Sequence, residues 1–157
     1  MSENFKVLFV CLGNICRSPA GENVMRHLIK AQNISNISID SAGTAGYHIG
    51  KAPDSRMSAE LKSRGIHVTG AARQFQTRDY DQFDLIVPMD LSNEKNILKL
   101  ARNDNDRAKV KPFMSFCQQF TNNEVPDPYY DGADAFTLVA DMMHDGCQGI
   151  IKYIQNG

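Results

Sequence analysis

Neither sign of charge dominates this chain. Its 17 basic residues stand against 18 acidic ones in a length of 157, which excludes the global field that draws in nucleic acid or an anionic membrane surface. Any anion it binds has to be captured locally. No apolar run is long enough to cross a bilayer, and no basic leader, apolar stretch and small-residue cleavage site follow one another at the amino end. The expectation is a cytoplasmic protein with neither nucleic acid nor membrane as partner. Cysteine is scarce, with Cys11, Cys16, Cys117 and Cys147 the full set. In such a chain reduced thiols are expected rather than a disulfide framework. The two Asn-x-Ser sequons, at Asn33 and Asn36, then have no route to glycosylation. The four histidines show no i, i+4 pair and no Cys/His cluster, so neither a metal nor another cofactor is expected.

What is present is an alternation of strand-like and helix-like segments. Residues 5–10 are apolar and partly β-branched, as suits a strand buried on both faces. Ser18, Pro19 and Glu22 then read as a helix entrance, with serine as cap and proline at the first helical position. Further strands are expected over 37–40, 83–89 and 109–113, and further helices over 54–64, 91–101 and 133–153, although Gly146 and Gly149 weaken the middle of the last. Residues 121–132, with Pro126 and Pro128, read as loop. The fold expected is α/β: residues 1–157 as a single three-layer domain, a four-stranded parallel sheet with helices on both faces. Such sheets bind ligands beyond the carboxyl ends of their strands, and Cys11 lies at such an end.

The segment Val10-Cys11-Leu12-Gly13-Asn14-Ile15-Cys16-Arg17-Ser18-Pro19 joins the first strand to the first helix. A strand-to-helix loop turns backbone N–H groups toward one point, and the helix start adds partial positive charge there. Gly13 permits a turn that a side chain would crowd, Asn14 tolerates left-handed geometry, and Arg17 offers a planar fork for two oxygens of a tetrahedral anion. Cys11 at the base of this cradle is favoured as thiolate, which is a nucleophile in line with a bound phosphate. The kinase-type phosphate loop is excluded, because its G-x-x-x-x-G-K-[ST] pattern is missing.

Cys11 through Pro19 resembles the signature of the low-molecular-weight protein tyrosine phosphatases, and the likeness extends along the chain through Asp40-Ser41-Ala42-Gly43-Thr44, Pro53-Asp54, Ala72-Arg73-Gln74, Met89-Asp90 and Asp127-Pro128-Tyr129-Tyr130. It looks like a bacterial-type member. The resemblance implies hydrolysis of protein phosphotyrosine through a phosphocysteine on Cys11. Arg17 and the loop residues Leu12, Gly13, Asn14, Ile15, Cys16 and Ser18 would bind the phosphate, and Asp127 would act as general acid and then base. It further implies Ser18 as a support for the thiolate, Asn14 and Ser41 as loop braces, Tyr47 as an aromatic wall and Tyr129 and Tyr130 as the opposite rim. Cys16 would protect Cys11 by forming a disulfide on oxidation. Partners would be phosphotyrosine proteins, a bacterial tyrosine kinase among them, with phosphate and other oxyanions as inhibitors. Some members carry a histidine where this chain has Gly70, so its loop needs other bracing. Two alternatives stand beside this one: a thiol-dependent arsenate reductase, which needs a further close cysteine pair that Cys117 and Cys147 do not form in sequence, and a phosphotyrosine-binding module without turnover.

Overall fold

A computed structural model describes residues 4–129 and 131–156. Its centre is strand β1 (Phe5–Cys11), flanked by β2 (Ile37–Gly43) and β3 (Leu85–Pro88) in the order β2-β1-β3, all parallel. Alternation along β1 divides the core: Val7, Phe9 and Cys11 face one apolar cluster, Leu8 and Val10 the other. Val7, Leu8, Phe9 and Val10 are fully buried, because a central parallel strand is covered on both sides. Helices α1 (Arg17–Ala31), α2 (Ser55–Ser63) and α6 (Ala133–Asn156) supply the first cluster, with α1 and α6 in extensive contact. Short helix α3 (Asp79–Gln82) and α4 (Leu91–Leu98) cover the opposite face through Tyr80 and Ile97, the Tyr80 hydroxyl donating to the Ile97 carbonyl. Helix α5 (Asp104–Ala108) and a single 3-10 turn (Phe113–Phe116) lie between α4 and α6.

The expected fourth strand over 109–113 is corrected: among the described residues the sheet has three strands, and this segment contributes one isolated bridge, Ile86 to Val110. Two hydrogen bonds tie it to Ile86, and then Pro112, which has no N–H to continue a ladder, leads into the 3-10 turn. The entrance to α1 also differs. The helix starts at Arg17 with Cys16 as its cap and no side-chain cap bond, because the Ser18 hydroxyl is engaged at the sulfur of Cys11 instead.

The two glycines within α6 sit where that helix crosses the 3-10 turn. A Cβ at Gly146 would lie 2.1 Å from the ring of Phe113, and one at Gly149 would lie 1.9 Å from the carbonyl oxygen of Phe116. They are contact surfaces, and the helix runs through them without a break. Among the described residues no helix is long and apolar enough to cross a membrane.

Candidate active site

The loop from Cys11 to Ser18 leaves the carboxyl end of the central strand and is tied to its surroundings by its carbonyls. The oxygens of Cys11 and Leu12 accept from the N–H groups of Thr44 and Ala45, both at 2.9 Å, and that of Ile15 accepts from Asp54 at 2.6 Å. In a trans peptide the next N–H points opposite to the carbonyl. The N–H groups of Leu12, Gly13 and Cys16 are therefore turned away from those partners. Gly43 makes the tie possible, since a Cβ there would stand 2.7 Å from the Leu12 oxygen.

Asn14 bends the loop with φ of 57°, and both ends of its side-chain amide hold that bend. Its Nδ2 donates to Ser18 Oγ at 2.8 Å and Ser41 Oγ at 2.9 Å, and its Oδ1 accepts from the Arg73 N–H at 2.9 Å. The Ser41 hydroxyl in turn donates to Glu22 Oε1 at 2.6 Å. Arg73 is anchored in turn by two carboxylates, Asp40 at 3.1 Å and the buried Asp79, which takes both terminal nitrogens at 3.1 Å. This chain of contacts stands on the side of the loop where Gly70 has no side chain to offer.

Cys11 Sγ lies 2.9 Å from Ser18 Oγ and accepts from the Ser18 N–H at 3.4 Å. Arg17, 3% exposed, donates to Asp90 Oδ2 at 2.7 Å and to the Val125 carbonyl at 3.1 Å, and its other terminal nitrogen is 3.6 Å from Asp127 Oδ2. Burial acts to lower its pKa, but Cys11 and the two carboxylates outweigh burial and the net direction is up. Arg17 remains a cation. Cys16 is its counterpart: burial first, then the proximity of Cys11, raises its thiol far above the ordinary range and keeps it protonated.

A cleft of about 330 Å³ opens over Cys11. Leu12, Gly13, Ile15, Cys16 and Arg17 form its floor and sides, with Tyr47 and His48 on one wall and Asp127 and Tyr129 on the other. Asn14, Ser18 and Ser41 lie behind the loop as braces, and Tyr130 falls outside the described residues. Asp127 is the more open of the two acids, its side chain 42% exposed against 18% for Asp90. The Tyr129 N–H closes on Asp127 Oδ1 at 3.1 Å, so acid and aromatic belong to one turn.

Two residues that the sequence did not single out as site residues, Asp90 and Arg73, belong to this assembly, and His48, next to Tyr47 in sequence, lines the cleft beside it. Asp90 caps α4 with one oxygen and holds Arg17 with the other; its place just past the end of β3 was a readable signal. Arg73 acts through its peptide N–H, which no residue type advertises. His48 lies against Gly13, where a Cβ would come within 2.9 Å of its ring. Among the described residues no group of three His, Cys, Asp or Glu is arranged to hold a metal ion. Cys117 and Cys147, both free thiols, sit at the end of the 3-10 turn and within α6.

The arrangement brings a sulfur, a fixed cation and a carboxyl together around one cleft, the kinds of group that displacement at a tetrahedral oxyanion uses. Residues 6–157 match the sequence model of the family described as low molecular weight phosphotyrosine protein phosphatase. A Synechocystis relative named as a low molecular weight protein-tyrosine-phosphatase is 47% identical over 147 residues, covering 93% of this chain and 94% of the relative. The fission yeast low molecular weight phosphotyrosine protein phosphatase is 40% identical, over 98% of this chain and 99% of its own. A crystal structure of a protein tyrosine phosphatase from Entamoeba histolytica, with Hepes in its active site, superposes with a TM-score of 0.95 at 40% identity, covering 98% and 99% of the two chains.

Proposed function

Because the chain belongs to the low molecular weight phosphotyrosine protein phosphatase family, we propose that Cys11 Sγ is the nucleophile that takes the phosphoryl group from a protein phosphotyrosine. The S–P bond forms as the bond to the phenol oxygen breaks. Phenolate leaves poorly unless a proton arrives, and Asp127 on the facing wall supplies it, a contribution of ~10²–10⁴-fold for general acids. The N–H groups of Leu12, Gly13 and Cys16, with Arg17, bear the negative charge on the equatorial oxygens, a task they perform without reorganisation because the loop carbonyls are already tied back. Asp127, now a carboxylate, then removes a proton from water. That water attacks phosphorus, the S–P bond breaks, and inorganic phosphate leaves while Ser18 supports the returning thiolate.

Phosphotyrosine is the substrate this reading names, because Tyr47 and Tyr129 line the cleft over Cys11 and offer aromatic surface against which a tyrosine ring packs. Phosphotyrosine proteins, a tyrosine kinase among them, are the partners this reading names, with phosphate and related oxyanions as competitive ligands. The four cysteines stand as free thiols, in keeping with work in the cytoplasm. Residues 1–157 act as one domain.

The single observation that carries the reading is Cys11 Sγ at the floor of a cleft whose sides present both Arg17 and Asp127. It is tested by phosphate release from a phosphotyrosine peptide at mildly acidic pH without added metal, native chain against Cys11→Ser. Turnover by the native chain and none by a folded Cys11→Ser variant is expected. A folded, reduced native chain that releases no phosphate overturns the reading in favour of arsenate reduction or phosphotyrosine binding.

A further inference from the structure

The wall of the cleft that carries Asp127 rests on a cation outside the cleft. Arg56, in the first turn of α2, places its guanidinium carbon 5.1 Å from the ring centre of Tyr129 and 4.7 Å from that of Phe136. Its Nη2 also donates to Asp54 Oδ2 at 3.2 Å. Asp54 is the cap of α2, and its N–H is bonded to the carbonyl of Ile15 in the phosphate loop at 2.6 Å. One guanidinium thus touches three separate segments: the α2 cap bonded to the loop, the Tyr129 turn, and the start of α6.

The planar cation between two rings is a contact of defined geometry. Phe136 is buried and fixed, so it serves as the base against which Arg56 holds Tyr129. An open groove of about 560 Å³, lined by Arg56, Glu60, Gly132 and Phe136, borders the guanidinium. The Tyr129 N–H is bonded to Asp127 Oδ1, so a side-chain contact that restrains Tyr129 also restrains the turn that carries the carboxyl.

We propose that Arg56 is a positioning residue for proton delivery: by clamping Tyr129 between α2 and α6 it holds the Asp127 carboxyl over the leaving oxygen, although it touches neither substrate nor sulfur. The inference rests on the reading of Asp127 as the acid. Arg56 is the residue at which the loop that binds phosphate and the loop that delivers the proton are kept in register.

The test compares native chain, Arg56→Met, Arg56→Lys and Asp127→Asn on a series of aryl phosphates whose phenols span a wide range of acidity. The ratio kcat/KM reports the step up to departure of the phenol, and only a misplaced acid makes the loss grow as the phenol becomes less acidic. For Arg56→Met the expected loss is about tenfold for the least acidic phenol and under about twofold for the most acidic, since an acid that is misplaced retains part of its ~10²–10⁴-fold contribution. Arg56→Lys, which returns a cation to the rings, recovers part of it. Thermal unfolding of each variant, with Arg56→Gln as a second neutral replacement, separates this pattern from a general loss of structure. A leaving-group dependence for Arg56→Met parallel to that of the native chain, beside a steep one for Asp127→Asn, overturns this inference alone. A parallel dependence for Asp127→Asn overturns the acid assignment and the inference with it.

Discussion

Asn14 combines a backbone duty with a side-chain duty, and two substitutions separate them. Its φ of 57° is open to glycine without strain but disfavours alanine by ~1–2 kcal/mol. Both replacements delete the bonds to Ser18, Ser41 and the Arg73 N–H. Asn14→Gly and Asn14→Ala are expected to lose phosphatase activity alike, while urea unfolding places Asn14→Ala about 1 kcal/mol below Asn14→Gly. Equal stability of the two would mean that the bend is not what the asparagine supplies. Cys11 and Arg17 stood out in the sequence because each needs a particular side chain at a particular spacing, and Asp127 stood out through the family resemblance. The residues that orient them did not, since they meet only in space: Arg73 is 59 positions from Asn14 and uses a peptide N–H, and Asp90 is 73 positions from Arg17. Arg56 is further hidden, because a cation in the first turn of a surface helix reads as solvated until the two rings beside it are known.

The elements were legible where apolar periodicity alone decides them, as in β1 and α6. They were misread where a contact decides. Ser18 has the side chain of a helix cap, yet its oxygen serves sulfur, and 109–113 has the composition of a strand, yet Pro112 ends its pairing. Gly146 and Gly149 resemble helix breakers for the same reason. Alanine at Gly149 gains about 1 kcal/mol of helix propensity, but its Cβ would meet backbone 1.9 Å away, where no rotamer relieves it. Gly149→Ala is therefore expected to destabilise by about 1–3 kcal/mol as an overpacked site, read as a lower thermal midpoint. An unchanged or higher midpoint would show that α6 and the 3-10 turn separate freely.

On the scale of the whole molecule, the long connection after the 3-10 turn is held to α6 by one carboxylate. Asp145 accepts from the N–H groups of Gln118, Gln119 and Phe120 at 2.9–3.2 Å. Burial acts to raise its pKa, but those three donors outweigh it and the folded value lies below the ordinary one. A carboxyl depressed on folding stabilises fully above its unfolded pKa of ~3.9 and stops doing so as acid protonates it in the folded state. Asp145→Asn should thus cost about 1–2 kcal/mol at pH 7, and the gap in urea midpoint should close as pH falls below about 4. A gap that persists at pH 3 would assign the loss to packing. The strand order carries a consequence for the chain as it is synthesised. The central strand is the first one made, and both of its neighbours come later; Arg17 is bonded to a carbonyl 108 positions downstream, and Asp127 follows that carbonyl by two residues. A growing chain thus brings out the Cys11 thiol early and Asp127 late, and the cleft that both of them line cannot be complete until synthesis has passed residue 127.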